Sequence, residues 1–142
     1  MKPSYLRIID ANLNRSREGL RVCEDIARFV ISDRRITKAF KLLRHKLTKL
    51  SEKLSISCHP IYARDSRADV GKETLENEGV RKGILDVFSA NIKRVEESFR
   101  VLEEVTKLTD AKLADEFKKI RFKLYDIEKR AVIKFKNLRD SG

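Results

Sequence analysis

The sequence predicts an all-α protein, an antiparallel four-helix bundle built from a duplicated helical hairpin with an irregular central loop. Of its 142 residues, only two are Pro and five are Gly, while 39% are charged and 41% hydrophobic. That composition is typical of packed, amphipathic helices. Apolar residues recur at helical spacing in four long stretches. Residues 11–26 reappear in altered form as residues 90–105, which indicates an internal repeat.

The first hairpin is predicted from residues 4–54. Residues 4–31 have an apolar stripe at helical spacing, and a break is expected at Ser32 and Asp33. Asp33 is predicted to be the N-cap of a second helix that runs to about Leu54, because a carboxylate there accepts hydrogen bonds from the first free backbone N–H groups.

The central segment, residues 55–83, interrupts the helical pattern and leads to the second hairpin. Within it, residues 56–62 are predicted to be extended and residues 72–78 to form a short helix. The third helix is expected at about 84–107, and Asp110 is predicted to cap the fourth, which frays from residue 137 onward. We therefore expect residues 1–142 to form one domain, with the repeated units at 4–54 and 84–137.

The two copies of the hairpin are matched at polar positions more than at apolar ones. Of sixteen aligned positions in the first and third helices, seven are identical: Ala11/Ala90, Asn12/Asn91, Arg15/Arg94, Glu18/Glu97, Arg21/Arg100, Val22/Val101 and Glu24/Glu103. The second and fourth helices match at Asp33/Asp110, Phe40/Phe117, Lys41/Lys118, Arg44/Arg121, Lys46/Lys123 and Leu47/Leu124. Two such hairpins bury their apolar faces best against each other.

A helical wheel places Asn12 and Arg15 inside the apolar arc of the first helix and Glu18 at its edge. Asn91, Arg94 and Glu97 repeat this placement in the third helix. A guanidinium group on a buried face must be paired. Two interpretations remain open: internal Arg–Glu ion pairs that fix the register of the bundle, or a polar cleft that binds an anion. The wheel places Arg21, Glu24, Asp25 and Arg28 on the opposite, exposed face.

The loop at residues 63–73 is a second candidate for anion binding. Arg64 offers a fork of phosphate donors, Asp65 and Asp69 are candidate Mg²⁺ ligands, and Gly71 permits close approach of the backbone. The alternative is a charged connection with an Asp turn. Arg44 and His45, beside the apolar stripe of the second helix, are further candidates for phosphate binding.

The net charge of +11 favours an anionic partner. A nucleic-acid-binding bundle and a non-catalytic helical adaptor are therefore alternatives to an enzyme, although interspersed glutamates argue against nucleic acid. Cys23 and Cys58 form no disulfide framework, and the sequence has neither an apolar signal segment nor an apolar run long enough to span a membrane, so a cytoplasmic protein is expected. A homodimer is compatible with each interpretation.

The segments "RIIDANLNRSREGLRVCEDIARF", "LLRHKL", "ARDSRADVG" and "ANIKRVEESFRVLEEVTK" together resemble the non-classical hydroxymethylpyrimidine-phosphate kinases, a family found separately or fused N-terminally to thiamine-phosphate synthase. The resemblance implies transfer of the γ-phosphoryl group of ATP to hydroxymethylpyrimidine phosphate, with Mg²⁺, for thiamine biosynthesis. It also implies a functional link to thiamine-phosphate synthase.

The resemblance and the repeat together suggest roles for the candidate residues. Arg15 and Arg94 would neutralise phosphates, and Glu18 and Glu97 would orient those arginines or contact Mg²⁺. Asp65 and Asp69 are the candidate metal ligands. The candidates for binding substrate and phosphate are Asn12, Arg21, Arg44, His45, Arg64, Gly71, Asn91 and Arg100.

Overall fold

A computed structural model describes residues 1–54, 59–73 and 79–141, and it confirms the all-α prediction. Helix α1 spans Pro3–Ile26 and continues through a π-helical turn, Ala27–Ile31. Helix α2 spans Arg34–Leu54, and a 3₁₀ turn follows at Pro60–Ala63. Helices α3 and α4 span Ile84–Thr106 and Ala111–Ser141. The described part of the chain contains no β-strand.

The four helices pack around one core, in which α1 and α3 form the most extensive contact and α2 and α4 touch each other much less. Gly19 permits this close approach. A Cβ atom at Gly19 would lie 2.5 Å from Cγ2 of Val95 and 3.0 Å from the backbone oxygen of Asn91. The largest fully buried side chains are those of Phe40, Phe88, Phe99 and Phe117, distributed over α2, α3 and α4.

Both predicted N-caps are confirmed. The Asp33 carboxylate accepts a hydrogen bond from the backbone N–H of Ile36 at 2.8 Å, and the Asp110 carboxylate accepts one from the N–H of Leu113 at 3.0 Å. These bonds satisfy backbone groups that have no partner inside the helix. The second helix of each hairpin therefore begins with the same kind of N-cap, an Asp whose carboxylate accepts a backbone hydrogen bond.

The π-helical turn at the end of α1 changes which residues face the core. A π-turn has more residues per turn than an α-helix, so a wheel drawn at 100° per residue loses its phase there. Ile31 is buried, whereas Phe29 and Val30 are exposed, although a wheel at 100° per residue places Val30 beside Asn12 in the apolar arc. Ser32 then ends the helix in the left-handed conformation, with φ of 56°.

The predictions for the loop and the C-terminus need correction. Pro60–Ala63 forms a 3₁₀ turn where an extended segment was predicted; the rest of that segment, through residue 58, lies outside the described residues. Residues 72 and 73 are not helical, and residues 74–78 lie outside the described residues. Helix α4 continues to Ser141, beyond residue 137, from which fraying was predicted. No helix in the described residues is long and apolar enough to cross a membrane.

Candidate functional site

A charged clamp holds the central loop against α1. The guanidinium group of Arg64 donates from Nε to Oδ2 of Asp10 at 2.6 Å and from Nη2 to Oδ1 at 2.7 Å. Asp10 is 7% exposed, so this bidentate pair is partly shielded from water. The sequence analysis did not identify Asp10, because its partner lies in a distant part of the chain. The clamp brings the predicted loop to the predicted face of α1.

The loop and α1 enclose a groove of about 680 Å³, which we call groove A. It brings together five predicted site residues: Asn12, Arg15, Arg64, Asp65 and Asp69. The remaining lining residues are Ser4, Arg7, Ile8, Asp10, Ala11, Asn14, Ser66 and Val101. Groove A therefore combines three guanidinium groups with three carboxylates, one of which is already paired with Arg64.

The exposed side chain of Arg15 is held at the wall of groove A by Asn12. Asn12 is buried and donates from Nδ2 to the backbone oxygen of Ile8 at 2.8 Å, while its Oδ1 accepts a long bond of 3.4 Å from Nη1 of Arg15. In the second copy, Asn91 donates to the backbone oxygen of Val87 at the same distance of 2.8 Å. The repeated asparagine thus binds the preceding helical turn in both copies.

The loop carboxylates are oriented by hydrogen bonds from nearby backbone N–H groups. Oδ1 of Asp65 accepts from the N–H of Ala68 at 3.1 Å, and Oδ1 of Asp69 accepts from the N–H of Gly71 at 2.8 Å. Gly71 does not line groove A. Within the described residues, no group of three or more His, Cys, Asp or Glu side chains is arranged to hold a metal ion.

A second groove of about 570 Å³, groove B, adjoins groove A at Val101, which lines both. It contains the predicted residues Glu97 and Arg100. The other lining residues are Lys93, Glu96, Arg121 and Tyr125. Glu97 therefore lies in a different groove from Asp65 and Asp69.

Buried ion pairs occur at symmetric places in the two hairpins. Glu24 pairs with Arg44 at 2.9 Å, and Glu103 pairs with Arg121 at 2.9 Å. Arg21 and Arg100 lie at the outer edges of these pairs, 3.7 Å from Glu24 and 3.5 Å from Glu103. Glu24 is only 6% exposed, so its predicted place on an exposed face is wrong. Each pair joins the two helices of one hairpin.

Of the two interpretations left open, the internal pairing of Arg15 with Glu18 is wrong. Arg15, Glu18, Arg94 and Glu97 are all exposed. Because α2 and the loop pack beside α1, its buried face extends toward Asp10 and Glu24. This rotates the buried face away from Arg15 and Glu18. The cleft predicted inside the bundle is instead a pair of surface grooves.

Several predicted residues lie outside grooves A and B. In the part of the chain that the structure describes, neither groove is lined by Glu18, Arg21, Arg44, His45, Gly71, Asn91 or Arg94. His45 lines a separate groove beside the turn between α1 and α2. The structure therefore groups residues from the N-terminal half of α1, the loop and α3, and it does not make the two copies equivalent.

A cluster of ionisable groups that the sequence analysis missed lies between α3 and α4. Nζ of Lys93 is 2.9 Å from Glu128 and 3.5 Å from Glu96. Burial, together with the hydrogen bond and charge of Glu128, raises the pKa of Glu96 to about 8. Glu96 and Glu128 are aligned with Arg17 and Ser51 of the first copy. Those two residues hydrogen-bond to each other at 2.9 Å. A charge difference between aligned positions is the signal that marks this cluster.

Cys23 faces the same cluster from α1. Burial and the nearby charges of Glu96 and Glu128 raise the pKa of its thiol to about 12. The thiol is therefore neutral at physiological pH, and it is not a candidate nucleophile.

Comparison with known proteins connects this geometry to a family. The model of the ThiD2 family matches residues 7–130. A thiamine-phosphate synthase of Synechocystis sp. is 39% identical over 123 residues, which are 86% of this chain and 34% of that protein. A thiamine-phosphate synthase of Gloeobacter violaceus is 41% identical over 129 residues, which are 89% of this chain and 36% of that protein.

A more distant relative shows the same coverage. The thiamine-phosphate synthase of Rhodopirellula baltica is 35% identical over 123 residues, covering 86% of this chain and 32% of that protein. The chain thus spans about one third of the length of these curated relatives. No solved structure matches it.

Proposed function

The chain belongs to the ThiD2 family, and on that premise we propose that it is an ATP-dependent phosphotransferase of thiamine biosynthesis, which converts hydroxymethylpyrimidine phosphate to the diphosphate. In this reaction the bond between the γ-phosphorus and the β,γ-bridging oxygen of ATP breaks. A bond from an oxygen of the acceptor phosphate to that phosphorus forms, and ADP leaves. The relatives' name supports the pathway, since a thiamine-phosphate synthase would consume this diphosphate.

The observation that carries the proposal is groove A, where Arg15, the Arg64 loop and two further carboxylates meet in one concave site. Phosphoryl transfer depends on positioning and on neutralising charge more than on covalent catalysis. The acceptor phosphate is already ionised at neutral pH, so the site needs no strong general base. Arg15 would neutralise the transferred group, and Arg64, held by Asp10, would position the polyphosphate.

Mg²⁺ fits this site only as part of a complex with the nucleotide. Mg²⁺ is commonly bound by one or two carboxylates together with substrate phosphates and water. Asp65 and Asp69 supply two carboxylates at the edge of groove A, and no larger ligand group is found within the described residues. The ion would supply charge neutralisation at the phosphates. Groove B, next to groove A, is the place for a second substrate.

The test is an assay of the purified protein with ATP, Mg²⁺ and hydroxymethylpyrimidine phosphate, with the diphosphate product detected by mass. Arg15→Ala and Arg94→Ala form a matched pair, because both residues are exposed and occupy equivalent positions in the two copies. We expect Arg15→Ala to lower kcat/KM by about 10²- to 10³-fold. Arg94→Ala lowers it comparably only if both copies contribute to the site.

The control is the helical circular dichroism of both variants, which should match that of the wild type. Absence of product with folded wild-type protein would refute the proposed activity. If the wild type forms product and Arg15→Ala is fully active, the activity is supported but groove A is not the reaction site.

A further inference from the structure

A third groove lies beside the turn between α1 and α2, and it shares no lining residue with groove A or groove B. This groove, which we call groove C, has a volume of about 630 Å³. Its lining residues are Arg28, Ser32, Asp33, Arg34, Thr37, Lys38, Lys41, Leu42 and His45. The proposed transferase site makes no use of it.

The cations of groove C have no carboxylate partner in the part of the chain that the structure describes. Arg34, Lys38 and Lys41 form no ion pair with any residue that the structure describes, and Arg28 stacks over the ring of Phe29 at 4.7 Å. The carboxylate of Asp33, which the backbone N–H of Ile36 and the ammonium of Lys134 keep at a lowered pKa, is already engaged by those groups. Groove C therefore has a strong excess of positive charge.

The internal repeat shows that this charge is not needed for folding. Lys41 is matched by Lys118 and Leu42 by Lys119, but the other four lining positions of α2 are matched in α4 by residues that are apolar or acidic. In order, Arg34, Thr37, Lys38 and His45 are matched by Ala111, Ala114, Asp115 and Phe122. Helix α4 forms and packs with those residues. At these four positions the first copy has two cations and a histidine that the second copy lacks, and the cations that line a groove on α4 are partly paired with Asp115 and Asp126.

We propose that groove C is an anion-binding site for a small molecule with two or more phosphoryl groups, separate from the transferase site. Arg34 and Lys41 lie about 10 Å apart along α2, given the helical rise of about 1.5 Å per residue. That span exceeds one phosphate and suits a short polyphosphate. The volume of groove C falls within the range typical of small-molecule sites, about 300–1,000 Å³. A concave groove favours such a ligand over the extended backbone of a nucleic acid.

The proposal is tested by binding of inorganic tripolyphosphate, pyrophosphate and phosphate, followed by amide chemical shifts of the full-length protein without nucleotide. Affinity should fall in that order, and shift changes should centre on residues 28–45. Changes centred on residues 4–15 and 64–69 instead would assign the binding to groove A and refute the proposal. This readout does not depend on the transferase reaction, so failure of either proposal can be recognised separately.

The matched variant takes its residues from the protein's own second copy: Arg34→Ala, Lys38→Asp and His45→Phe combined. Because α4 accommodates these residues, we expect the variant to fold and to bind tripolyphosphate at least about tenfold more weakly. A control with the same change in net charge is Lys112→Ala, Lys129→Ala and Lys136→Ala, all at exposed positions. Equal weakening in both variants would indicate a non-specific charge effect and would overturn the proposal.

A nucleic acid is the competing occupant of groove C. A short RNA or DNA that binds the same residues more tightly than tripolyphosphate, with a steep dependence on salt concentration, would replace the small-molecule proposal. If the triple variant unfolds, the amide chemical-shift changes of the wild-type protein by themselves show whether tripolyphosphate binds in groove C or in groove A.

Discussion

Replacing Glu96 by Gln should change how the stability of this protein depends on pH. Glu96 is 5% exposed, its Oε2 atom has no hydrogen-bond partner among the described residues, and it lies next to Glu128. When Glu96 is protonated, its carboxyl group can donate a hydrogen bond to the carboxylate of Glu128. The folded state therefore holds a proton at neutral pH that the unfolded chain releases.

The sign and size of the effect follow from the pKa of Glu96. Burial, followed by the influence of Glu128, raises this pKa from 4.5 in the unfolded chain to about 8 in the folded state. Between these values the folded state binds more protons, so the free energy of unfolding falls as pH rises, by about 1.4 kcal/mol per pH unit at most. From pH 6 to pH 9 the wild type should lose about 2–3 kcal/mol relative to Glu96→Gln.

The assay is urea unfolding followed by circular dichroism at pH 6, 7, 8 and 9. Because other titrating groups are common to both proteins, the difference between the two curves isolates Glu96. Glu97→Gln, a neighbouring exposed carboxylate in the same helix, is the control and should keep the wild-type slope. Parallel curves for the wild type and Glu96→Gln would show that Glu96 is ionised at neutral pH and that the reasoning is wrong.

Three other substitutions test the packing, the buried ion pair and the loop clamp. Gly19→Ala should lower the free energy of unfolding by about 1–3 kcal/mol because its methyl group overlaps Val95, and adding Val95→Ala should recover part of the loss in urea unfolding. Glu103→Ala should cost about 3 kcal/mol by leaving Arg121 without its carboxylate, and an unchanged melting temperature would contradict this. Asp10→Asn should release the loop, so limited trypsin digestion should cleave it faster than in the wild type; equal cleavage rates would show that the clamp does not restrain it.

The sequence by itself determined the helical class, the two N-caps and the internal repeat. These features depend on local information: apolar residues at a helical period, and an Asp that accepts backbone hydrogen bonds three residues ahead. The capping bonds of Asp33 and Asp110 show the same chemistry at both predicted places. The sequence also identified the loop residues Arg64, Asp65 and Asp69 that line groove A.

The tertiary structure decided which polar residues are buried and which meet. A carboxylate can be buried only where another element brings it a cation or a proton. Asp10 meets Arg64 from the loop, and Glu24 meets Arg44 from α2; neither pairing can be inferred from the pattern within α1. A helical wheel scores such carboxylates as surface residues, so it turned the buried face toward Arg15.

The repeat determined that two similar hairpins exist, but only their packing showed how they differ. The single central loop covers one end of α1, the carboxylate pair of Glu96 and Glu128 replaces Arg17 and Ser51, and groove C lies on the first copy. Duplication preserves the pattern along each helix, whereas each side chain's surroundings are set by neighbours from the other copy and from the loop. That is why the fold follows from sequence periodicity and the site follows from contacts between distant residues.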